Sequence, residues 1–234
     1  MNKNPSFMEH FSELNKRSTL LVFSISVSFI PAWILYDSII EVLLKPLNRI
    51  GYDKESLVVH QITEPLQVKI LVVIFIALYI CLPIIVYNIA AFLIPAAETK
   101  YKKVSWFLTL VSLAFFYGGA YLGYTTIHYG LDFLISFTDL SVGIRSQYYF
   151  QFLFRFFLFI GLFFQFPIIV TILILNRIIK ISYLINKRKE IFVLIMFIAA
   201  VITPTGDPAS LLIFTLPVYL FYELLLLLLK NKFD

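Results

Sequence analysis

The apolar run at residues 149–175 constrains the fold of this chain most strongly. About 20 apolar residues, at ~1.5 Å each along a helix, span the hydrocarbon core of a bilayer, and this run is long enough. It nevertheless contains Gln165 and Pro167. A polar side chain in lipid needs partners inside the protein, so Gln165 predicts further helices around this one. Pro167 removes a backbone hydrogen bond near Phe163 and predicts a bend beside Gln165.

Composition identifies a polytopic membrane protein. The 234 residues are 60% hydrophobic and only 14% charged, which is too few charges for a soluble domain of this size. The single Cys81 excludes a disulfide framework and a thiolate metal cluster within one chain, and we predict neither metal nor cofactor. The basic residues lie in short segments between apolar runs, so they indicate membrane orientation rather than binding of nucleic acid.

The apolar runs predict a single all-α transmembrane domain over residues 1–234 with six helices. A polar segment at residues 1–17 precedes them, and the third run has a possible extension to residue 137. The predicted spans are residues 18–40, 70–94, 104–124, 149–175, 191–203 and 211–229. The fifth run holds roughly 13 residues, or about 20 Å of helix, against a core of ~30 Å. The sixth is interrupted by Pro217 and Glu223, so we expect the last two helices to form a short hairpin.

The basic residues also predict the topology. Thirteen of the 19 Lys and Arg residues fall in segments that share one side of the membrane if the N-terminus is inside, so we expect both termini inside. Trp33 and Tyr36 would then be outer-interface anchors and Trp106 an inner one. The long outer connection at residues 41–69 contains Pro46 and predicts turns and short helices that form a cap.

The N-terminal residues give no sign of a cleavable signal peptide, so we expect the first span to be retained. Frequent Asn, Ile, Phe and Lys indicate an AT-rich coding sequence, which fits an organelle genome or a reduced bacterium. We therefore expect an organelle inner membrane, with the mitochondrial one favoured. The bacterial plasma membrane and the thylakoid are the alternatives.

Several segments, in order along the chain, resemble the TatC family, the multispanning core of the twin-arginine protein translocase. HFSELNKR at residues 10–17 is similar to the family pattern H-L-x-E-L-R-x-R, and PIIVYNIAAFLIP at 83–95 to P-x-x-x-Y-Q-x-W-x-F-x-x-P. FYGGAYLGY at 116–124 resembles F-x-x-G-x-x-F-x-Y, and GLFFQFP at 161–167 resembles F-G-x-x-F-E-x-P. Residues 200–223 resemble the last hairpin of the family.

The resemblance implies a cupped bundle of six helices with both termini inside. We expect no enzymatic activity, because an intramembrane protease would need a Ser with a His, or paired Asp residues, at mid-depth, and this sequence offers neither. It implies that twin-arginine signal peptides of folded proteins bind on the inner face. Single-span partners of the TatA and TatB type would complete a path driven by the proton-motive force. The chain would lie in the lipid bilayer as a homo-oligomer within that complex.

The resemblance assigns Glu13, Leu14 and Arg17 to signal-peptide binding. Two guanidinium groups on a peptide favour carboxylates in bidentate geometry at a partly desolvated surface. Leu14 would pack the segment onto the membrane, and Arg17 would hold Glu13 in place. From spacing alone, Glu13 and Arg17 also form an ordinary i,i+4 helix pair. Asn15 replaces the first arginine of the family pattern.

Glu98 and Tyr101 form the second expected binding position, and there the chain departs from the family. The pattern L-Y-x-x-E has its tyrosine and glutamate exchanged in this sequence. Three residues apart on a helix, the two side chains share a face, so the carboxylate could reach a similar volume. Glu98 could equally offset Lys102 at i+4.

Further positions match the family inside the bundle and on the outer face. Gln165 stands where bacterial relatives commonly have Glu, so a mechanism that needs a titratable group there fails in this chain. It suits either a hydrogen bond to another span or a polar site in a translocation surface. With Pro167 and Glu223 it forms the predicted intramembrane set, and we expect Glu223 to pair with a polar group in span five or near the inner surface.

The outer-face structural set is Pro46, Glu64 and Asp207. Asp207 precedes Pro208 and fits an ordinary turn. Glu64 and Lys69 also fit an inconsequential surface pair at i,i+5. Arg155 has no expected family counterpart, and we expect its side chain to snorkel to the outer headgroups.

The main alternative is a proton or ion channel subunit of an organellar respiratory or ATP synthase complex. Such a channel needs titratable groups in series across the membrane, whereas the middle of these spans offers only Gln165 and Glu223. Haem ligation needs paired histidines within spans, and His10, His60 and His128 lie near ends or in loops.

Overall fold

The chain folds into long helices, as seen in a computed structural model that describes residues 7–93, 99–137, 143–205 and 207–233. Side chains are described for 15–89, 106–137, 143–205 and 207–230. Five helical segments of the described chain are long and apolar enough to cross a membrane. The helices are α1 (Phe7–Arg49), α2 (Glu64–Leu93), α3 (Thr99–Ile135), α4 (Ser146–Phe163), α5 (Phe166–Leu175), α6 (Ile181–Asn186), α7 (Arg188–Ile202) and α8 (Pro208–Phe233).

The first helix is much longer than the predicted span of residues 18–40. It includes Pro31 and Pro46 and ends only at Arg49, so Pro46 lies in a helix rather than in a loop turn. Helices in membrane proteins tolerate proline because neighbouring groups satisfy the freed carbonyls. The polar segment before the span is also helical from Phe7 onward.

The short elements between α1 and α2 pair with the segment before α4. A 3-10 turn (Lys54–Ser56) leads into β1 (Leu57–Val58), which pairs in parallel with β2 (Ile144–Arg145). We call residues 50–63 and 143–145 the cap, and the end of the bundle that carries them the cap end. The third helix reaches this end because it continues to Ile135, as its possible extension indicated.

Proline divides the fourth span where the sequence predicted a bend. Helix α4 ends at Phe163 and α5 begins at Phe166. Pro167 has no N–H to donate to the carbonyl of Phe163. At the break, the backbone N–H of Gln165 donates to Leu162 O at 3.0 Å. The two segments still form one apolar stretch of 30 residues, Ser146–Leu175.

The last two helices differ from the expected short pair. Helix α7 has 15 residues, about 22 Å, and is short as predicted. Helix α8 has 26 residues and continues through Pro217, so the expectation of a broken, short last helix is corrected. A run of leucines after Glu223 gives it a strong helical preference in apolar surroundings.

Aromatic side chains and close helix contacts form the core between α2, α3 and α4. Phe75 of α2 stacks on Phe154 of α4 with ring centroids 4.0 Å apart. A Cβ added at Gly161 would lie 2.5 Å from the Phe116 ring, and one at Gly119 would lie 2.7 Å from Phe164 Cγ. These two glycines let α3 and α4 approach each other around interlocked aromatic rings.

Candidate functional site

Helices α1 and α2 bring the N-terminal residues of α1 and the end of α2 to the end of the bundle opposite the cap. Helices α1 and α2 run antiparallel, and Ser28 Oγ lies 2.9 Å from Cys81 Sγ. Glu13 is fifteen residues before Ser28, and residue 96 is fifteen residues after Cys81. A helix rises ~1.5 Å per residue. When both helices are extended from the contact between Ser28 and Cys81, the backbone of Glu13 therefore lies near the level at which α2 ends.

Most of the predicted signal-peptide set lies at the limit of the described chain. Glu13, Leu14 and Tyr101 belong to helical backbone, but their side chains lie outside the described residues. Glu98 lies outside them altogether, directly before the first residue of α3. Arg17 is described and is partly exposed on the first turns of α1.

Side chains of α2 and α3 join these two helices close to their connection. The Tyr87 ring packs against Trp106 with centroids 5.2 Å apart. Asn88, within the motif at residues 83–95, is buried and donates from Nδ2 to Ile84 O at 2.8 Å. The ring contact between Tyr87 and Trp106 joins the ends of the helices between which Glu98 lies, whereas the Asn88 bond stays within α2.

Gln165 connects α3 to the break in the fourth span. Its Nε2 donates to Ser112 O at 3.1 Å, and the Ser112 hydroxyl donates a short hydrogen bond to Gln165 Oε1. Both ends of the amide thus have partners on α3, which is the arrangement expected of an interhelical hydrogen bond. Pro167 is buried beside it at the start of α5. Sequence reasoning did not find Ser112, although a serine inside an apolar run is the signal that marks it.

Glu223 pairs with a basic residue at the start of α7. Arg188 Nη2 lies 3.4 Å from Glu223 Oε2, and the Tyr219 hydroxyl donates to Oε1 at 2.8 Å. The carboxylate therefore joins the two helices of the last hairpin at the end away from the cap. Arg188 is the partner that the sequence left unnamed.

Glu64 is the centre of a buried polar cluster beneath the cap. Its carboxylate accepts hydrogen bonds from His60 N at 2.9 Å, Ser146 Oγ at 3.0 Å and Gln147 N at 3.2 Å. Arg145 Nε lies 3.3 Å from Oε2, and the side chain of Glu64 is fully buried. The predicted surface pair between Glu64 and Lys69 is wrong, because the side chain of Glu64 turns inward. Lys69 Nζ instead lies 4.3 Å from the ring centroid of Trp33.

Asp207 begins the last helix. Its Oδ1 accepts a hydrogen bond from Ser210 N at 2.9 Å, and its Oδ2 accepts a short one from the Ser210 hydroxyl. This is the pattern of a helix N-cap. Hydrogen bonds from Ser210 and Thr205 hold the pKa of the Asp207 carboxyl well below its usual range.

A family model described as "Sec-independent protein translocase protein (TatC)" matches residues 9–217. The Sec-independent protein translocase protein TatCy of Bacillus subtilis is 30% identical, and the match covers 97% of this chain and 90% of that protein. TatC of Carboxydothermus hydrogenoformans is 26% identical, with 97% and 94% covered. Both organisms are bacteria, so these relatives lend no support to an organelle membrane.

Two crystal structures of proteins described as "Twin Arginine Translocase Receptor" TatC share the fold. One superposes with a TM-score of 0.72 at 25% identity, covering 94% of this chain and 99% of that one. The other gives 0.71 at 26% identity, with 95% and 99% covered. The chain therefore belongs to the TatC family of Sec-independent protein translocase proteins and is a core subunit of the Tat translocase in the membrane.

Proposed function

We propose that the chain is the receptor for twin-arginine signal peptides and binds them at the end of the bundle opposite the cap. The observation that carries this proposal is the antiparallel register of α1 and α2, fixed by the contact between Ser28 and Cys81. Extended along both helices, the register brings the backbone of Glu13 level with the end of α2. Glu98 is adjacent in sequence to Thr99, where α3 begins, and this adjacency supports the proposal that both carboxylates belong to one end of the molecule.

Two carboxylates at one end suit a peptide with two adjacent arginines. Each guanidinium makes paired hydrogen bonds to a carboxylate, and this geometry discriminates arginine from lysine. Leu14 supplies an apolar contact with the membrane, and Arg17, one helical turn from Glu13, orients its carboxylate. Tyr101 shares a helix face with Glu98 and would border the second position.

We further propose that this end faces the cytoplasm of a bacterial cell, since the relatives named above are bacterial and basic residues concentrate there. Single-span partners of the TatA and TatB type would assemble with several copies of the chain. Transport of the folded cargo would draw on the proton-motive force. The polar contacts of Gln165 and Glu223 stabilise the helices on which those partners pack.

The direct test is crosslinking of a photoactivatable twin-arginine signal peptide to membranes that contain the chain. Glu13→Gln with Glu98→Gln should reduce the crosslinked fraction at least tenfold, because each lost charge-assisted pair contributes about 1.5–3 kcal/mol. Glu190→Gln is the matched control, because it removes an exposed acid that pairs with Lys187 at 2.8 Å elsewhere on the chain. Undiminished crosslinking in the double variant would overturn the assignment.

A second measurement addresses the channel alternative. A proton channel subunit would conduct protons when the chain alone is reconstituted into liposomes. A signal-peptide receptor leaves the imposed pH gradient intact in that assay. Proton flux that rises with the amount of chain would contradict the receptor proposal.

A further inference from the structure

Arg155 is a cation on an otherwise apolar face of the bundle. It lies nine residues into α4, ~14 Å along the helix from Ser146. Its side chain is exposed, and the guanidinium makes no hydrogen bond or ion pair within the described part of the chain. A charge in such surroundings requires a counter-charge or water.

The side chain borders a groove between α4 and α7. The groove has a volume of about 280 Å³, and its walls other than Arg155 are apolar. Its lining residues are Phe152, Arg155, Phe156, Phe159, Val201 and Ile202. Phe159 is 52% exposed and Val201 72% exposed, so the apolar surface continues outward from the groove.

The short α7 determines where this groove meets water. Helix α7 ends at Ile202, and the chain turns through Thr203, Thr205 and Asp207 before α8 begins. These polar turn residues lie beside the groove, since Thr203 and Thr205 line a small neighbouring cavity together with Phe156. We therefore expect the boundary between lipid and water to lie near the level of Arg155 on this side, although α4 extends from Arg155 back to Ser146.

We propose that the groove binds one anionic phospholipid, with the headgroup phosphate on Arg155 and an acyl chain along Phe159 and Val201. A guanidinium and a phosphate form paired, charge-assisted hydrogen bonds, and a flexible chain fits between bulky rings. A partner helix packs most closely against small residues, whereas this groove is walled by phenylalanine, valine and isoleucine. The lipid site does not depend on the receptor function proposed above.

The test is lipid retention by the purified full-length chain in a neutral detergent, measured by native mass spectrometry. Phosphatidylglycerol and phosphatidylethanolamine are added separately. Arg155→Gln should lower retention of phosphatidylglycerol roughly five- to tenfold, since one basic residue near a membrane surface contributes ~1 kcal/mol or somewhat more toward anionic lipid. Arg155→Lys should keep most of the retention.

Arg49→Gln is the matched control, because Arg49 is an exposed arginine in the last turn of α1 at the cap end and does not line the groove. It should retain phosphatidylglycerol like the unaltered chain. Circular dichroism and gel filtration should show Arg155→Gln to be folded, as expected for a side chain without internal bonds. Millimolar inorganic phosphate should leave the lipid bound, because the acyl chain adds apolar contact.

Three results would overturn the proposal. Equal retention of phosphatidylglycerol by Arg155→Gln and the unaltered chain would remove the headgroup contact. Displacement by inorganic phosphate would indicate a simple anion site. Loss of a co-purified single-span subunit in Arg155→Gln, with lipid retention unchanged, would assign the groove to a carboxylate on a partner helix.

Discussion

At the scale of single residues, Glu64 shows how a charge is accommodated at the start of a membrane helix. Its two oxygens accept bonds from two backbone amides and a hydroxyl, and Arg145 supplies the counter-charge. Removing one partner of a buried charge is far more destabilising than the pair is stabilising, because the remaining group keeps its desolvation cost. Glu64 thereby ties the segment before α2 to the start of α4, which is about eighty residues away in sequence.

Glu64→Ala should lower the melting temperature of the detergent-solubilised chain by about 10 °C, because Arg145 and two amides lose their acceptor. Glu64→Gln should have a smaller effect, since it keeps an acceptor oxygen. Glu55→Ala, at an exposed position of the same cap, should change the melting temperature little. A melting temperature for Glu64→Ala equal to that for Glu55→Ala would contradict the role of the cluster.

Asp207 carries a prediction about pH. Its pKa is lowered in the folded chain by bonds from Ser210 and Thr205, so its ionised form stabilises the hairpin at any pH above the usual aspartate pKa near 4. As the pH falls below that value, the contribution declines toward the lowered folded pKa. Stability of the hairpin should therefore be constant from pH 8 to pH 5 and decrease in stronger acid.

Asp207→Ala removes the N-cap and should cost about 1 kcal/mol, whereas Asp207→Asn should cost less because its amide oxygen still accepts the bond from Ser210 N. Thermal melts of the three chains at pH 7 and pH 3 measure both effects. If the loss in acid were the same for the unaltered chain and Asp207→Ala, the titrating group would not be Asp207.

At the scale of helices, the contact between α3 and α4 combines close packing with one amide link. Gly119 and Gly161 bring the backbones together, and Gln165 bonds both the hydroxyl and the carbonyl of Ser112. In lipid there is little hydrophobic gain when helices associate, so packing and hydrogen bonds determine the geometry.

A double-mutant cycle on Ser112 and Gln165 tests the link. Gln165→Leu should destabilise the chain by about 1 kcal/mol, and Ser112→Ala by less, because the backbone carbonyl of Ser112 still accepts from Gln165. The coupling energy should be about 0.5 kcal/mol, measured by unfolding in mixed detergent and denaturant. Strictly additive losses would show that the two side chains act independently.

Hydropathy predicted the elements better than their ends. Length and apolarity indicated the long crossings and the short α7, and Pro167 indicated the break, because these features depend on local sequence. The ends of α1 and α8 depend on tertiary surroundings, since Pro46 and Pro217 remain helical only where neighbours satisfy the freed carbonyls. For the same reason the sequence indicated Gln165 and Glu223 as needing partners but not Ser112 and Arg188 as those partners.

At the scale of the whole molecule, the two ends of the bundle have different chemistry. The cap end holds the buried cluster around Glu64 and the turn at Asp207, so these two carboxylates are bonded within the protein. In the proposed arrangement, the opposite end carries most of the basic residues together with Glu13 and Glu98. A receptor for a basic peptide would need individual carboxylates at defined positions among these basic residues. The net positive charge of this end would by itself repel the peptide.

Orientation in the membrane is the prediction that ties these ends to the cell. In a Cys81→Ala background, which removes the single cysteine, Lys54→Cys in the cap should react with a membrane-impermeant maleimide in intact cells. Lys180→Cys, in the segment between α5 and α6, should react only after permeabilisation, because positive residues favour the cytoplasmic side. Lys16→Cys serves as a second inner position, and Cys81→Ala alone, with no thiol, controls for background. Labelling of Lys180→Cys in intact cells, with Lys54→Cys protected, would mean that the orientation is the opposite of the predicted one. The proposed receptor face would then lie on the side of the membrane where proteins awaiting export are absent.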